Sequence, residues 1–167
     1  MSALTLVRLT ADHDPRGFDC GNEQMNRWLV DHALASQKAD LARTYLLLRN
    51  GTVVGYVSLT TGSIRREAAP KRYARGTPRH PIPTILIARL AIDQRHQGQR
   101  LGSRLLAEAL RLAVAASDAA AARLVVVDAI DEQAARFYRR WGFIDAPENP
   151  NRLFRKIGDI RRSLEQS

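Results

Sequence analysis

The sequence predicts a single α/β domain over residues 1–167, a mixed α/β layer architecture with helices flanking a sheet. Three observations point there: two strand-like runs joined at Asn50-Gly51, a nearly continuous apolar run from Thr84 to Ile92, and a helical apolar stripe that begins at Leu101. Strands followed by helices in this alternation are the pattern of a layered α/β fold. A chain of 167 residues is long enough to bury a substantial core as one domain.

Taken in order, Leu4 to Leu9 alternates well enough for a first strand, and Asp12, Asp14, Pro15 and Gly17 mark the turn after it. From Asn22 to Ala39 the positions Met25, Trp28, Leu29, His32, Ala33 and Leu34 recur at helical spacing, as one helix or two short ones, with Asn22 able to cap the start. Leu41–Arg49 and Thr52–Thr60 form a hairpin, because Asn-Gly tolerates the positive φ angles of a tight turn. Gly62 to Pro83, rich in proline and arginine, reads as a loop with room for a short helix. Thr84–Ile92 suits a strand covered on both faces. After a loop at Gln94–Arg100, the stripe Leu101, Leu105, Ala109, Leu112, Ala113 and Ala116 makes a helix. Leu124–Val127 is a buried strand, and Asp131 caps a helix through Trp141 that Gly142 terminates. Phe143-Ile144 and Leu153–Ile157 are closing strands, and Ile160–Leu164 is a final helical turn.

Composition narrows the function classes. No apolar run reaches the roughly 18 residues of a membrane span, and Ala3–Val7 is too short for a signal-peptide core, so the expected location is cytoplasmic. One cysteine, Cys20, cannot close an internal disulfide, and no His/Cys spacing suggests a metal; Cys20 reads as a small buried side chain. A net charge of +9 favours a polyanionic partner.

The chemistry starts at Gln97-Gly98-Gln99-Arg100-Leu101-Gly102, between the apolar strand and the striped helix. A glycine-containing turn entering a helix presents unpaired N–H groups and the positive end of the helix dipole to an anion such as a pyrophosphate, with Ser103 and Arg104 as further donors. The spacings of a dinucleotide fingerprint and of a Walker loop are both absent.

Leu90-Ala91-Ile92-Asp93 with Gln97–Gly102 and Leu105-Leu106 resembles the acyl-CoA-binding segment of the GNAT acetyltransferases, and Ala134-Ala135-Arg136-Phe137-Tyr138-Arg139-Arg140-Trp141-Gly142-Phe143 resembles their C-terminal segment. Both fall in family order. Arg100 stands where the family has a small glycine. The resemblance implies the GNAT fold, a mixed, mostly antiparallel sheet with a central splayed strand pair flanked by helices, and acetyl-CoA as cosubstrate without a metal. It implies cofactor binding by Leu90, Ala91, Ile92, Gln97, Gly98, Gln99, Arg100, Leu101, Gly102 and Ser103.

A narrower resemblance is to the toxins of bacterial toxin–antitoxin pairs that acetylate aminoacyl-tRNA. It rests on Phe18-Asp19-Cys20-Gly21-Asn22 with Asn26-Arg27-Trp28-Leu29, Gly55-Tyr56, Thr61-Gly62-Ser63, Pro81-Ile82-Pro83 and Arg89-Leu90-Ala91. It implies a translation-blocking enzyme, a small ribbon–helix–helix antitoxin, a homodimer, and DNA contact only through the antitoxin complex. Tyr138 is then the candidate general acid, because a phenol of reference pKa about 10 is protonated at neutral pH; Phe137 and Trp141 are left as packing. Glu108, Asp128, Asp131 and Glu132 offer no distinctive base. An α-amine of pKa about 7.7–8.0 needs none as strongly as lysine at about 10.4 does. Arg65, Arg72, Arg75, Arg79, Arg89 and Arg139 are the candidates for approaching tRNA phosphates. Acetylation of a small amine or a protein N-terminus is the alternative within enzymes, and a non-catalytic CoA-binding regulatory protein the alternative outside them.

Overall fold

The computed structural model describes residues 3–166. Seven strands form one mixed sheet in the order β1-β2-β3-β4-β5-β7-β6, antiparallel except where β4 and β5 run parallel. The strands are β1 (Leu4–Arg8), β2 (Arg43–Arg49), β3 (Thr52–Ile64), β4 (Ile82–Ile92), β5 (Leu124–Asp128), β6 (Ile144–Asp145) and β7 (Arg152–Lys156). The helices are α1 (Glu23–Asp31), α2 (Ala33–Lys38), α3 (Lys71–Ala74), α4 (Leu101–Ala119), α5 (Glu132–Arg140) and α6 (Ile157–Glu165). None of the described helices is long and apolar enough to cross a membrane. The chain divides into two compact units, residues 1–60 with 88–109 and residues 61–87 with 110–167.

In the first unit, β1, β2 and the start of β3 form a meander. Asn50 and Gly51 take φ of 51° and 78°, both left-handed as a tight hairpin turn requires. The β2–β3 register slips between Leu47 and Leu48, leaving Val54 as the extra residue between partners Gly55 and Val53. Its carbonyl accepts the Asp93 N–H at 2.9 Å. Asn22 caps α1 by accepting the Met25 N–H, and the helical run breaks at His32, which is exposed rather than part of an apolar stripe. The core of this unit gathers Leu9, Phe18, Leu29, Ala33, Leu46, Val53, Tyr56 and Ala91, with Cys20, Met25 and Trp28 half-buried against it.

In the second unit, β5 pairs in parallel with the start of β4, Thr84–Ile87 against Leu124–Val127, and antiparallel with β7. Ala69, Tyr73, Ala74, Ile82, Leu124, Val126 and Phe154 form its core. The loop expected over residues 62–83 is shorter than the sequence suggests. β3 runs on to Ile64, a 3-10 turn spans Arg66–Ala68, α3 follows, and β4 begins at Ile82. Tyr73 and Ala74 of α3 are buried, and Arg66 donates to Thr77 Oγ1 at 2.9 Å and to the Ala74 carbonyl at 3.1 Å, which ties the segment down. Asp131 caps α5 by accepting the Ala134 N–H at 2.8 Å, and Gly142 beyond its end has φ of 92°. Trp141, expected as packing, is 45% exposed: the helix has ended at Arg140, so Trp141 no longer follows the Phe137 stripe inward.

Candidate functional site

The turn between β4 and α4 alternates two kinds of residue. Gly98 and Arg100 take left-handed φ of 82° and 61°. Gln97 and Gln99 between them anchor the loop through their side chains, Gln97 Nε2 donating to the Ile92 carbonyl at 3.0 Å and Gln99 Oε1 accepting from Arg49 at 2.9 Å. The Arg100 carbonyl accepts the Arg104 N–H, so Arg100 is the N-cap and the N–H groups of Leu101, Gly102 and Ser103 have no partner within the helix. Nineteen residues of helix stand behind them. Their free donors and the helix dipole make this a site for an anion. Left-handed backbone at a residue with a Cβ costs roughly 1–2 kcal/mol, a strain that Arg100 carries and a glycine would not.

The end of β4 supplies a second set of donors. The Asp93 N–H points to Val54, and the Ala91 carbonyl lies 3.1 Å from where a Cβ on Gly55 would stand, so both face β3. Strand alternation turns the N–H and C=O of Ile92 to the opposite edge. The Ile92 carbonyl is taken by Gln97, and its N–H points away from β3. Gly55 is required here, because a Cβ would also come 2.7 Å from Ile92 Cδ1.

The Phe18–Asn22 segment is fastened to this turn. Asp93 is fully buried, and its carboxylate accepts the Asp19 N–H at 3.0 Å, the Arg95 N–H at 2.9 Å, and Arg95 Nε and Nη2 at 2.9 and 2.7 Å. The Arg95 guanidinium, first among these partners, holds the Asp93 carboxyl well below the usual carboxylate range. Arg95 also donates to the Gly17 carbonyl, Gln94 N–H donates to the Asp19 carbonyl, and Asp19 Oδ1 accepts from Gly21 N–H and Asn26 Nδ2. Burial raises the Cys20 thiol pKa, as suits a half-buried packing residue.

Next to this clamp, Trp28 stacks on Tyr56 with rings 6.2 Å apart and 11° from parallel, and the Arg89 guanidinium lies 4.0 Å over the Trp28 ring. Arg89 is thus stacked and half-buried rather than free in solvent.

In the second unit, Tyr138 is buried on α5 between Phe137 and Phe143, with ring centroids 5.2 and 5.6 Å away. Burial alone pushes its phenol up to about 12. Arg65, Arg72, Arg75 and Arg79 are exposed, without an ion pair among the described residues, and Arg72 lies over the Tyr73 ring. Arg139 differs: it donates to Glu132 and Asp145 at 2.8 Å each, so its charge is largely matched within the fold. Asp128 is engaged by Arg152 at 2.6 Å. No cluster of three or more metal-ligating side chains occurs among the described residues. Arg49, the loop anchor, escaped sequence reading, and Asp93, although it lies in the Leu90–Asp93 run, was given no role there as a clamp toward Asp19. Each acts on partners dozens of positions away, and no local pattern marks such a pairing.

The profile of the acetyltransferase (GNAT) family matches residues 9–143. A protein of Mycobacterium tuberculosis described as a tRNA-acetylating toxin is 35% identical over 162 residues, covering 96% of this chain and 97% of its own. Among solved structures, AtaT complexed with acetyl-methionyl-tRNAfMet is 36% identical with a TM-score of 0.90, covering 97% of this chain and 99% of that one. A mutant AtaT toxin bound to acetyl-CoA and to the C-terminus of the antitoxin AtaR is 32% identical with a TM-score of 0.83, covering 98% and 99%.

Proposed function

We propose that this chain, which belongs to the acetyltransferase (GNAT) family, transfers the acetyl group of acetyl-CoA to the α-amino group of an aminoacyl-tRNA. It thereby blocks translation in the cytoplasm, as the toxin of a pair whose antitoxin holds it inactive. The observation that carries the proposal is the donor set at the start of α4, the free N–H groups of Leu101, Gly102 and Ser103 behind the left-handed Gly98 and Arg100, which fits a diphosphate. Gln97 to Ser103 hold that group, and Leu90, Ala91 and Ile92 lie along the pantetheine arm, with the Ile92 N–H, turned away from β3, as a donor.

Bound acetyl-CoA supplies an acetyl group activated as a thioester. The Ile92 N–H steadies negative charge developing on the thioester oxygen. Tyr138 serves the departing sulfur. With its phenol near 12 and an ordinary thiol near 8.5, complete proton transfer is uphill. Tyr138 therefore acts mainly by donating a hydrogen bond to the departing sulfur: the neutral amine attacks, its C–N bond forms as the C–S bond breaks, and the proton its nitrogen sheds after attack balances the thiolate. The exposed Arg65, Arg72, Arg75 and Arg79 favour a polyanionic substrate, with Arg89 and Arg139 as further candidates whose charges are already engaged within the fold. The 35% identity to a tRNA-acetylating toxin over nearly the whole of both chains supports the same substrate class.

The test is expression of wild type and Tyr138→Phe in bacteria, with labelled acetyl-CoA and total charged tRNA in vitro. Wild type should arrest translation and label aminoacyl-tRNA, and the variant should do neither at a comparable rate. Equal growth and unblocked translation in both strains defeats the toxin assignment. If transfer proceeds but is insensitive to salt, the substrate is a small amine instead, because tRNA binding weakens as counterion release is suppressed.

A further inference from the structure

Arg49 ends β2 next to the hairpin turn, fifty positions before the loop residue it touches. Its Nη1 donates to Gln99 Oε1 at 2.9 Å and lies 3.3 Å from His96 Nδ1, while its Nε is buried with no hydrogen-bond partner. An arginine kept half-buried with one donor unsatisfied carries a cost of its own, so its retention at this spot calls for a role. The residue after its contact supplies that role. Gln99 precedes Arg100, whose left-handed backbone is strained, and strained backbone persists only where its surroundings hold it. Gln97 fixes the loop from the β4 side, and Arg49 is the anchor from the β2 side. Through its contact with Gln99 the guanidinium also brings a positive charge to the turn that leads into the α4 donors.

We infer that Arg49 is a positioning residue for the phosphate-binding turn, and that through Gln99 it sets the preference for phosphorylated acyl thioesters over thioesters that end in pantetheine alone. The inference rests on the acetyl-CoA reading given above. It concerns only the diphosphate end of the donor, so it predicts a loss confined to that end.

Steady-state transfer to charged tRNA by wild type, Arg49→Ala, Arg49→Lys and Gln99→Ala, with acetyl-CoA and with S-acetylpantetheine as donors, tests it. Arg49→Ala should lower the preference for acetyl-CoA, the ratio of the two kcat/KM values, by about tenfold through KM, the size expected for one charge-assisted hydrogen bond. Gln99→Ala should reproduce most of that loss, and Arg49→Lys should recover part of it by restoring the charge. An unchanged ratio in Arg49→Ala, or a loss borne equally by both donors, overturns the inference. If Arg49→Ala does not fold, an unchanged ratio in Gln99→Ala overturns it as well. Failure of wild type to use either donor speaks instead against the acetyltransferase reading.

Discussion

Replacing Asp93 with asparagine tests whether the Phe18–Asn22 segment and the phosphate-binding turn are held by one carboxylate. Each Asp93 oxygen accepts two bonds, Oδ1 from the Arg95 N–H and Nε and Oδ2 from the Asp19 N–H and Arg95 Nη2. An asparagine keeps one oxygen and puts an NH2 where the other was. One backbone N–H, of Asp19 or of Arg95, then faces a donor in a fully buried site. Orphaning a buried donor costs about 1–3 kcal/mol, and the lost bonds to the charge cost a similar amount. The Arg95 side chain is 67% exposed and can turn to water, which offsets part of this, leaving a net loss of about 3 kcal/mol. In a chain of this size that is a fall in Tm of roughly 6–12 °C.

The pH dependence separates this cause from a packing defect. The folded-state pKa of Asp93 is depressed. Its stabilisation is therefore complete above the unfolded value of about 3.9 and is lost as pH falls toward the folded one. Asparagine does not titrate, so the stability gap between wild type and variant should be constant from neutral pH down to about 5 and narrower by about 1 kcal/mol at pH 3. Urea denaturation across that range measures both. A gap below about 1 kcal/mol at pH 7, or one unchanged at pH 3, refutes the clamp.

Two further substitutions probe the same turn. Gly55→Ala should destabilise the protein by about 2 kcal/mol, because the new Cβ meets the Ala91 carbonyl oxygen at 3.1 Å and Ile92 Cδ1 at 2.7 Å, and only the second of these can swing away; thermal melts check it, and an unchanged Tm counts against the close approach of β3 and β4. Arg100→Gly relieves left-handed strain but frees the unfolded chain, so stability should move by less than about 1 kcal/mol, while the KM for acetyl-CoA rises about three- to tenfold if the guanidinium contacts phosphate; an unchanged KM assigns Arg100 to the backbone turn alone.

What could be read in advance was whatever is written locally. Asn50-Gly51 needs only its own two φ angles to turn a hairpin, and Asp131 with Gly142 brackets α5 by capping chemistry that spans a few residues. The break at His32, the extension of β3 through Thr61-Gly62-Ser63 and the exposure of Trp141 were not legible, because each depends on what the neighbouring chain offers. At Gly62, a Cβ would stand 3.2 Å from Thr84 Oγ1, so the small residue that weakens strand propensity there is also what lets β3 run close beside β4. The site divides in the same way. Gly98 and the start of α4 announce an anion site from sequence, whereas the side chains that hold the loop, Asp93 toward Asp19 and Arg49 toward Gln99, reach residues 74 and 50 positions away. The Phe18–Asn22 signature thus has a physical meaning that its resemblance to a subfamily did not supply: it is the other half of the Asp93 clamp. A substitution in that signature should therefore be felt first at the phosphate-binding turn, as a change in acetyl-CoA affinity, and only secondarily in the choice of acceptor.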